Sequence, residues 1–190
     1  FPFRTKVMKA GEFAYSNHPR CTLIVHPGNP AKTGKRVLVW FHGGGLVLGD
    51  KDPMPKSLYS KDYVVVSANY RFLSEAKVEE IWDDAAKAVA WVFDNVEKFG
   101  GDPKKIFVAG HSAGGYLTCM VGFNPALLAK YGRKNTDLRG IIPMSAQVTE
   151  HYGVRHSLKD PDHYMLPKIN PRAPLYYIGN KLPPVEIICG

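Results

Sequence analysis

The chain alternates short, nearly unbroken apolar runs with one long amphipathic stretch. Cys21 to Val25, Arg36 to Phe41, Tyr63 to Ala68 and Lys105 to Ala109 read as strands. Arg36 to Phe41 and Tyr63 to Ala68 are so continuously apolar that burial on both faces is expected. Gly140 to Ala146 and Pro184 to Cys189 read as two more. Between Val78 and Val96 the period changes. Val78, Trp82, Ala85, Val89, Val92 and Val96 recur three and four residues apart, which places an apolar stripe on one side of a helix. Asp83 with Lys87 and Asp94 with Lys98 are spaced to pair on its solvated side, and Gly100-Gly101 suits a left-handed stop. Ala113 to Phe123 reads as a second helix, and Asp52-Pro53 opens a short one through Tyr59.

A strand, a helix and a strand joined at this spacing require parallel pairing through a right-handed crossover. The expected fold class is α/β, a mostly parallel central sheet with helices on both faces. The 190 residues suffice for one domain, 1–190. Within it, residues 147–182 are rich in Tyr, His and Pro and are expected to form a lid or insert before the last strand.

Chemistry gathers where two of these strands end. Gly110-His111-Ser112-Ala113-Gly114 is a Gly-x-Ser-x-Gly turn between a strand and a helix, which would lift the Ser112 hydroxyl above the sheet edge. His42-Gly43-Gly44-Gly45 leaves an earlier strand, and its glycines let the backbone approach a substrate closely. The carboxyl ends of neighbouring parallel strands share one crevice. The two clusters should therefore meet, with Ser112 as nucleophile and the N–H groups of Gly43, Gly44 and Ala113 as an oxyanion hole. His111 reads as structural, His42 as an anchor of the glycine loop, and Arg71 either as a tie between loops or as a contact for an acidic substrate group.

Composition excludes several other classes. Twenty-five Lys and Arg against seventeen Asp and Glu give a net charge of +8, but the basic residues are scattered along the sequence. Without a basic stripe, no nucleic-acid partner is expected. No apolar run approaches the length of an integral membrane segment. The three cysteines, Cys21, Cys119 and Cys189, lack metal or redox spacing, and Cys119 and Cys189 read as small core residues. Compartment and oligomeric state are not legible.

Residues 36–190 resemble the α/β-hydrolase fold, in particular the esterase and lipase branch related to hormone-sensitive lipase and the small carbohydrate or feruloyl esterases. The resemblance rests on Val39 to Gly45, Ser67 to Arg71, Gly100 to Ile106, Gly110 to Gly115, and Leu182 to Val185 leading into an apolar strand. Phe72-Leu73-Ser74-Glu75 lacks the proline of the lipase relatives, which favours the small-esterase branch. The resemblance implies a carboxylesterase-type serine hydrolase that takes small-molecule esters, with acetylated or feruloylated carbohydrates as one such class, and needs no metal or organic cofactor. Aryl formamidases and peptidases on the same fold, and a non-catalytic binding protein, share these residues. In this fold the acid and the histidine follow the serine in that order. Both are expected beyond Gly190, so the domain is expected to be incomplete at its C-terminus. His151, His156 and His163 lie downstream of Ser112 with acids nearby, but they precede the last strand.

Overall fold

The computed structural model describes residues 10–189. Six strands, Gly11–Ala14 (β1), Thr22–His26 (β2), Lys35–Phe41 (β3), Tyr63–Ala68 (β4), Gly101–His111 (β5) and Gly140–Met144 (β6), form one sheet in the order β1-β2-β4-β3-β5-β6. The first two strands join antiparallel, and β4, β3, β5 and β6 run parallel. This is the mostly parallel arrangement expected. The four-residue β1 is too short to leave a sequence period. The run from Pro184 touches β6 through two parallel bridges, Ile141 with Val185 and Met144 with Ile188, rather than as a full strand. Side chains there are exposed, so Cys189 is not the core residue expected, whereas Cys119 is fully buried.

Helices Val78–Asn95 (α1), Ala113–Phe123 (α2) and Pro125–Ala129 (α3) follow, with Tyr152–Ser157 (α4) later in the sequence. All six residues of the anticipated α1 stripe are buried. They pack in the main core with Val37, Val39 and Phe41, the alternate residues of β3 that face the helices. A 3-10 turn continues α1 to Phe99, and Gly100 at φ 78° ends it. The expected i,i+4 ion pairs on α1 do not form. Asp83 is held by Lys130 at 3.1 Å and Asp94 by Arg133 at 2.5 Å, because α3 and its following turn bring those cations alongside.

α1 and α2 lie on one face of the sheet. The other face, built from Leu38, Trp40, Val65, Ala109 and Ile142, is covered among the described residues by Met54 and Leu58, not by a second helical layer. The helix expected from Asp52 to Tyr59 shrinks to a 3-10 turn, Lys56–Leu58. Pro53 and Pro55 each remove an N–H donor, and a proline restricts the residue before it to extended backbone.

The crossover from β4 to α1 is fixed by a charge pair. Arg71 grips Asp84 through two bonds of 2.8 Å, and Asp84 is only 2% exposed. Removing one partner of such a pair strands the other charge away from water. Arg71→Ala is expected to lower stability by about 3–5 kcal/mol, read from the urea midpoint. An unchanged midpoint would show that the pair is dispensable.

Candidate active site

Ser112 joins β5 to α2 at φ 54° and ψ −116°, a conformation that residues other than glycine rarely adopt. Its N–H donates to the Met144 carbonyl at 2.9 Å, and its carbonyl accepts from Tyr116 N–H at 2.9 Å. The side chain is half-buried. Among the described residues no side chain hydrogen-bonds its hydroxyl.

Glycine makes this turn possible through close packing. A Cβ on Gly114 would sit 2.1 Å from the Phe41 carbonyl oxygen, and one on Gly110 would sit 2.4 Å from the Gly114 backbone. Neither contact can be relieved by turning a side chain, since the opposing atoms are main chain. The first turn of α2 thus lies directly on the end of β3, where the glycine loop starts. A Cβ on Gly43 would lie 3.4 Å from the Ser112 Cβ. The two clusters meet.

The loop is shaped by positive φ, 119° at Gly44 and 64° at Gly45. The Gly44 carbonyl accepts from Val47 and Leu48 N–H at 3.0 and 3.1 Å. The N–H groups of Gly43, Gly44 and Ala113 donate to no protein acceptor among the described residues. Gly43 is the one that packs against Ser112, and Ala113, the residue after the serine, begins α2 at the positive end of its dipole.

His42 stiffens this loop. Its Nδ1 lies 2.7 Å from the Gly43 carbonyl oxygen and so donates to it. Its ring stacks on Tyr70 with centroids 4.4 Å apart, and the Tyr70 hydroxyl donates to the His42 carbonyl at 2.7 Å. Burial lowers the His42 pKa, and its buried Nε2 has no partner among the described residues. His111 is exposed beside Gly43. A cleft of about 280 Å³ lined by Trp40, His42, Gly43, His111 and Met144 opens next to the serine turn.

Residues 147–182 close over the loop at one point. The Tyr152 hydroxyl lies 2.7 Å from where a Gly45 Cβ would be, so it rests directly on the glycine loop. The segment is tied down at several places. Tyr116 donates to the Arg172 carbonyl at 2.8 Å, Arg172 pairs with Glu79 at 2.9 Å, and Asn135 donates to the Lys181 carbonyl at 3.0 Å. Buried Arg155 binds Asp160 at 2.8 Å and also the carbonyls of Asp162 and Leu166.

None of the three downstream histidines reaches Ser112. His151 is 1% exposed, caps α4 by accepting Gly153 N–H at 3.1 Å and packs between Tyr116 and Tyr152. Burial lowers its pKa to about 4. His156 and His163 pack on each other, and the Asp160 carboxylate is already held by Arg155 and Lys168. No local pattern marks His151 as a cap, because its role depends on the turn that buries it.

The BD-FAE family model matches residues 24–163, well over half of the 190. The chain is 38% identical over 100 residues to the phenmedipham hydrolase of Pseudarthrobacter oxydans, covering 47% of its own length and 20% of that protein. It is 38% identical over 89 residues to carboxylesterase NlhH of Mycobacterium tuberculosis, covering 45% and 28%. The match thus spans less than a third of the length of these curated relatives. Among solved structures it is similar to Thermogutta terrifontis esterase 2, in a form phosphonylated by sarin. The TM-score is 0.75 at 20% identity, covering 98% of this protein and 74% of that one. That likeness shows an α/β-hydrolase fold.

Two outcomes test this geometry. Gly114→Ala should cost at least about 2–3 kcal/mol of stability, since main chain must move. Gly179→Ala, with open space around it, should change stability, read from the urea midpoint, by less than about 0.5 kcal/mol. Equal effects would refute the close-packing account. His151 gives a pH dependence. The unfolded protein takes up a proton near 6.5, whereas the folded ring resists until about 4. Between these values the unfolded state binds more protons, so stability falls as pH falls, by roughly 3 kcal/mol in all. In His151→Asn, which keeps a capping acceptor, that share of the acid sensitivity should vanish from pH-resolved urea titrations.

Proposed function

We propose that this chain, which belongs to the BD-FAE family, is the nucleophile-bearing part of a serine carboxylic-ester hydrolase. Its substrates would be small acyl esters, with acetylated or feruloylated carbohydrates as the finer class. The observation that carries this reading is the contact between two strand ends. A serine held at φ 54° stands beside a glycine loop whose N–H groups are not used elsewhere among the described residues. The relatives, a phenmedipham hydrolase and a carboxylesterase, support the same class.

In the proposed reaction Ser112 Oγ adds to the ester carbonyl carbon. The oxyanion is held by the N–H groups of Gly43, Gly44 and Ala113, each such donor being worth roughly 3–4 kcal/mol in other serine enzymes. Collapse breaks the bond to the alcohol and leaves an acyl-serine, which water then hydrolyses. A base must take the serine proton and return it to the leaving alcohol. None of the described residues supplies it, so a histidine with its acid partner would come from a later part of the full-length protein. Residues 147–182 would form the wall above the site, with Tyr152 beside the oxyanion loop.

The test uses the full-length protein with p-nitrophenyl acetate and a serine-directed phosphonate. Ser112→Ala should lower kcat by at least about 10⁴-fold, and peptide mass mapping should find the phosphonate on Ser112. Undiminished turnover in the variant, or labelling at another residue, would refute the assignment.

A further inference from the structure

A row of aromatic rings leads from α2 to the surface beside the glycine loop. Tyr116 and His151 are buried, with ring centroids 5.2 Å apart. His151 stacks on Tyr152 at 4.6 Å, and Tyr152 on Tyr164 at 6.0 Å with 24° between the planes. Tyr164 then meets His163 at 4.1 Å, and His163 meets His156 at 4.9 Å. Tyr152 and His156 are four residues apart on α4 and so share one of its faces. Exposure rises along the row, from 1% at His151 to 39% at Tyr152 and 73% at Tyr164. The row therefore has a buried root and an open outer end.

That outer end is held in place. Buried Arg155 donates to the Asp160 carboxylate at 2.8 Å, to the Asp162 carbonyl at 2.6 Å and to the Leu166 carbonyl. These bonds tie the turn that carries His163 and Tyr164 to α4. His163 adds a bond from Nδ1 to the Asp160 carbonyl at 2.8 Å. A tyrosine on a free loop would turn with its backbone, whereas here the ring plane is preset, as recognition of a flat group requires. The row also lies close to the serine. The Tyr152 hydroxyl reaches the Gly45 position, and exposed Val47 places its Cγ2 3.7 Å from the same point. Gly45 follows Gly43 by two residues, at most about 7 Å of backbone, and Gly43 touches Ser112. An exposed apolar and aromatic surface so near a reactive group marks ligand contact.

Resting on the esterase reading of Ser112, we propose that Tyr152 and Tyr164 form the surface that receives a planar aromatic ring carried by the ester. Such a ring extends the stack at its open end, since aromatic pairs pack offset or edge to face with centroids about 4.5–7 Å apart. A saturated ring of the same size buries a similar area but has neither the flat face nor the quadrupole of an arene. The ring-on-ring contact is worth about 2- to 12-fold beyond the area buried. Tyr152 and Tyr164 are thus specificity-determining residues, and Arg155 behind them is a positioning residue.

The experiment measures kcat/KM of the full-length protein on matched pairs of esters. Benzyl acetate is compared with cyclohexylmethyl acetate, and methyl 3-phenylpropanoate with methyl 3-cyclohexylpropanoate, which puts the ring on the alcohol half or on the acyl half. Each ratio is divided by the ratio for hydroxide hydrolysis, which removes intrinsic reactivity. The aromatic member should be favoured by about 2- to 12-fold in at least one pair. Tyr164→Leu and Tyr152→Leu should each bring that ratio to roughly 1, whereas Tyr164→Phe, which keeps the ring, should retain it. Rings that serve only the packing of the segment would leave the ratio where it was. Circular dichroism checks the fold of each variant, and Tyr164→Leu alters a side chain exposed enough for the fold to bear the change. Ratios of roughly 1 for both pairs in the unaltered protein, with a serine-directed phosphonate still bound to Ser112, would overturn this proposal and leave the esterase reading standing. A preference that survives in both leucine variants would overturn it as well. No turnover of any of these esters and no phosphonate on Ser112 would overturn both.

Discussion

The close approach of one helix to one strand end governs this structure. The first turn of α2 rests its main chain on the Phe41 carbonyl, with Gly114 at the contact and Gly110 beneath it. A single added methyl at either position would collide with backbone, which has no rotamer through which to yield. The same contact brings the turn that carries Ser112 against the loop that begins at His42. Were the helix about an ångström further out, Gly43 and Ser112 would lose their contact. Strain at Ser112 is sustained because β5, β6 and α2 hold the residue on every side.

Around this contact the fold uses buried polar groups as fasteners. Asp84 draws Arg71 onto α1, Tyr70 clamps the glycine loop through the His42 carbonyl, and Arg155 gathers the turns of the 147–182 segment. Each tie also satisfies its own hydrogen-bonding needs, which is the condition for burying such groups without a net penalty.

The parts of the fold that follow from local chemistry were legible in the sequence. The α1 stripe, its glycine stop, and the strands at Arg36 and Tyr63 each impose a period or a turn that few other conformations tolerate. The paired glycine motifs were legible for the same reason, since a run of small residues after an apolar strand has few other uses. Elsewhere, neighbours distant in sequence or the exact turn chemistry intervened. Lys130 and Arg133 displaced Lys87 and Lys98 from the acids of α1. Two prolines reduced an expected helix to a single 3-10 turn, and Cys189 stands exposed beside β6 because only bridges hold its run.

The amino-acid order by itself determined which elements form and which residues could do the chemistry, because period, glycine placement and turn residues act within a few positions of themselves. Only the tertiary structure decided which of those elements touch. The meeting of Gly43 with Ser112 and the burial of His151 as a cap both depend on strand order and register. Those are set by how apolar faces pack across the whole sheet, a long-range condition that no local window contains.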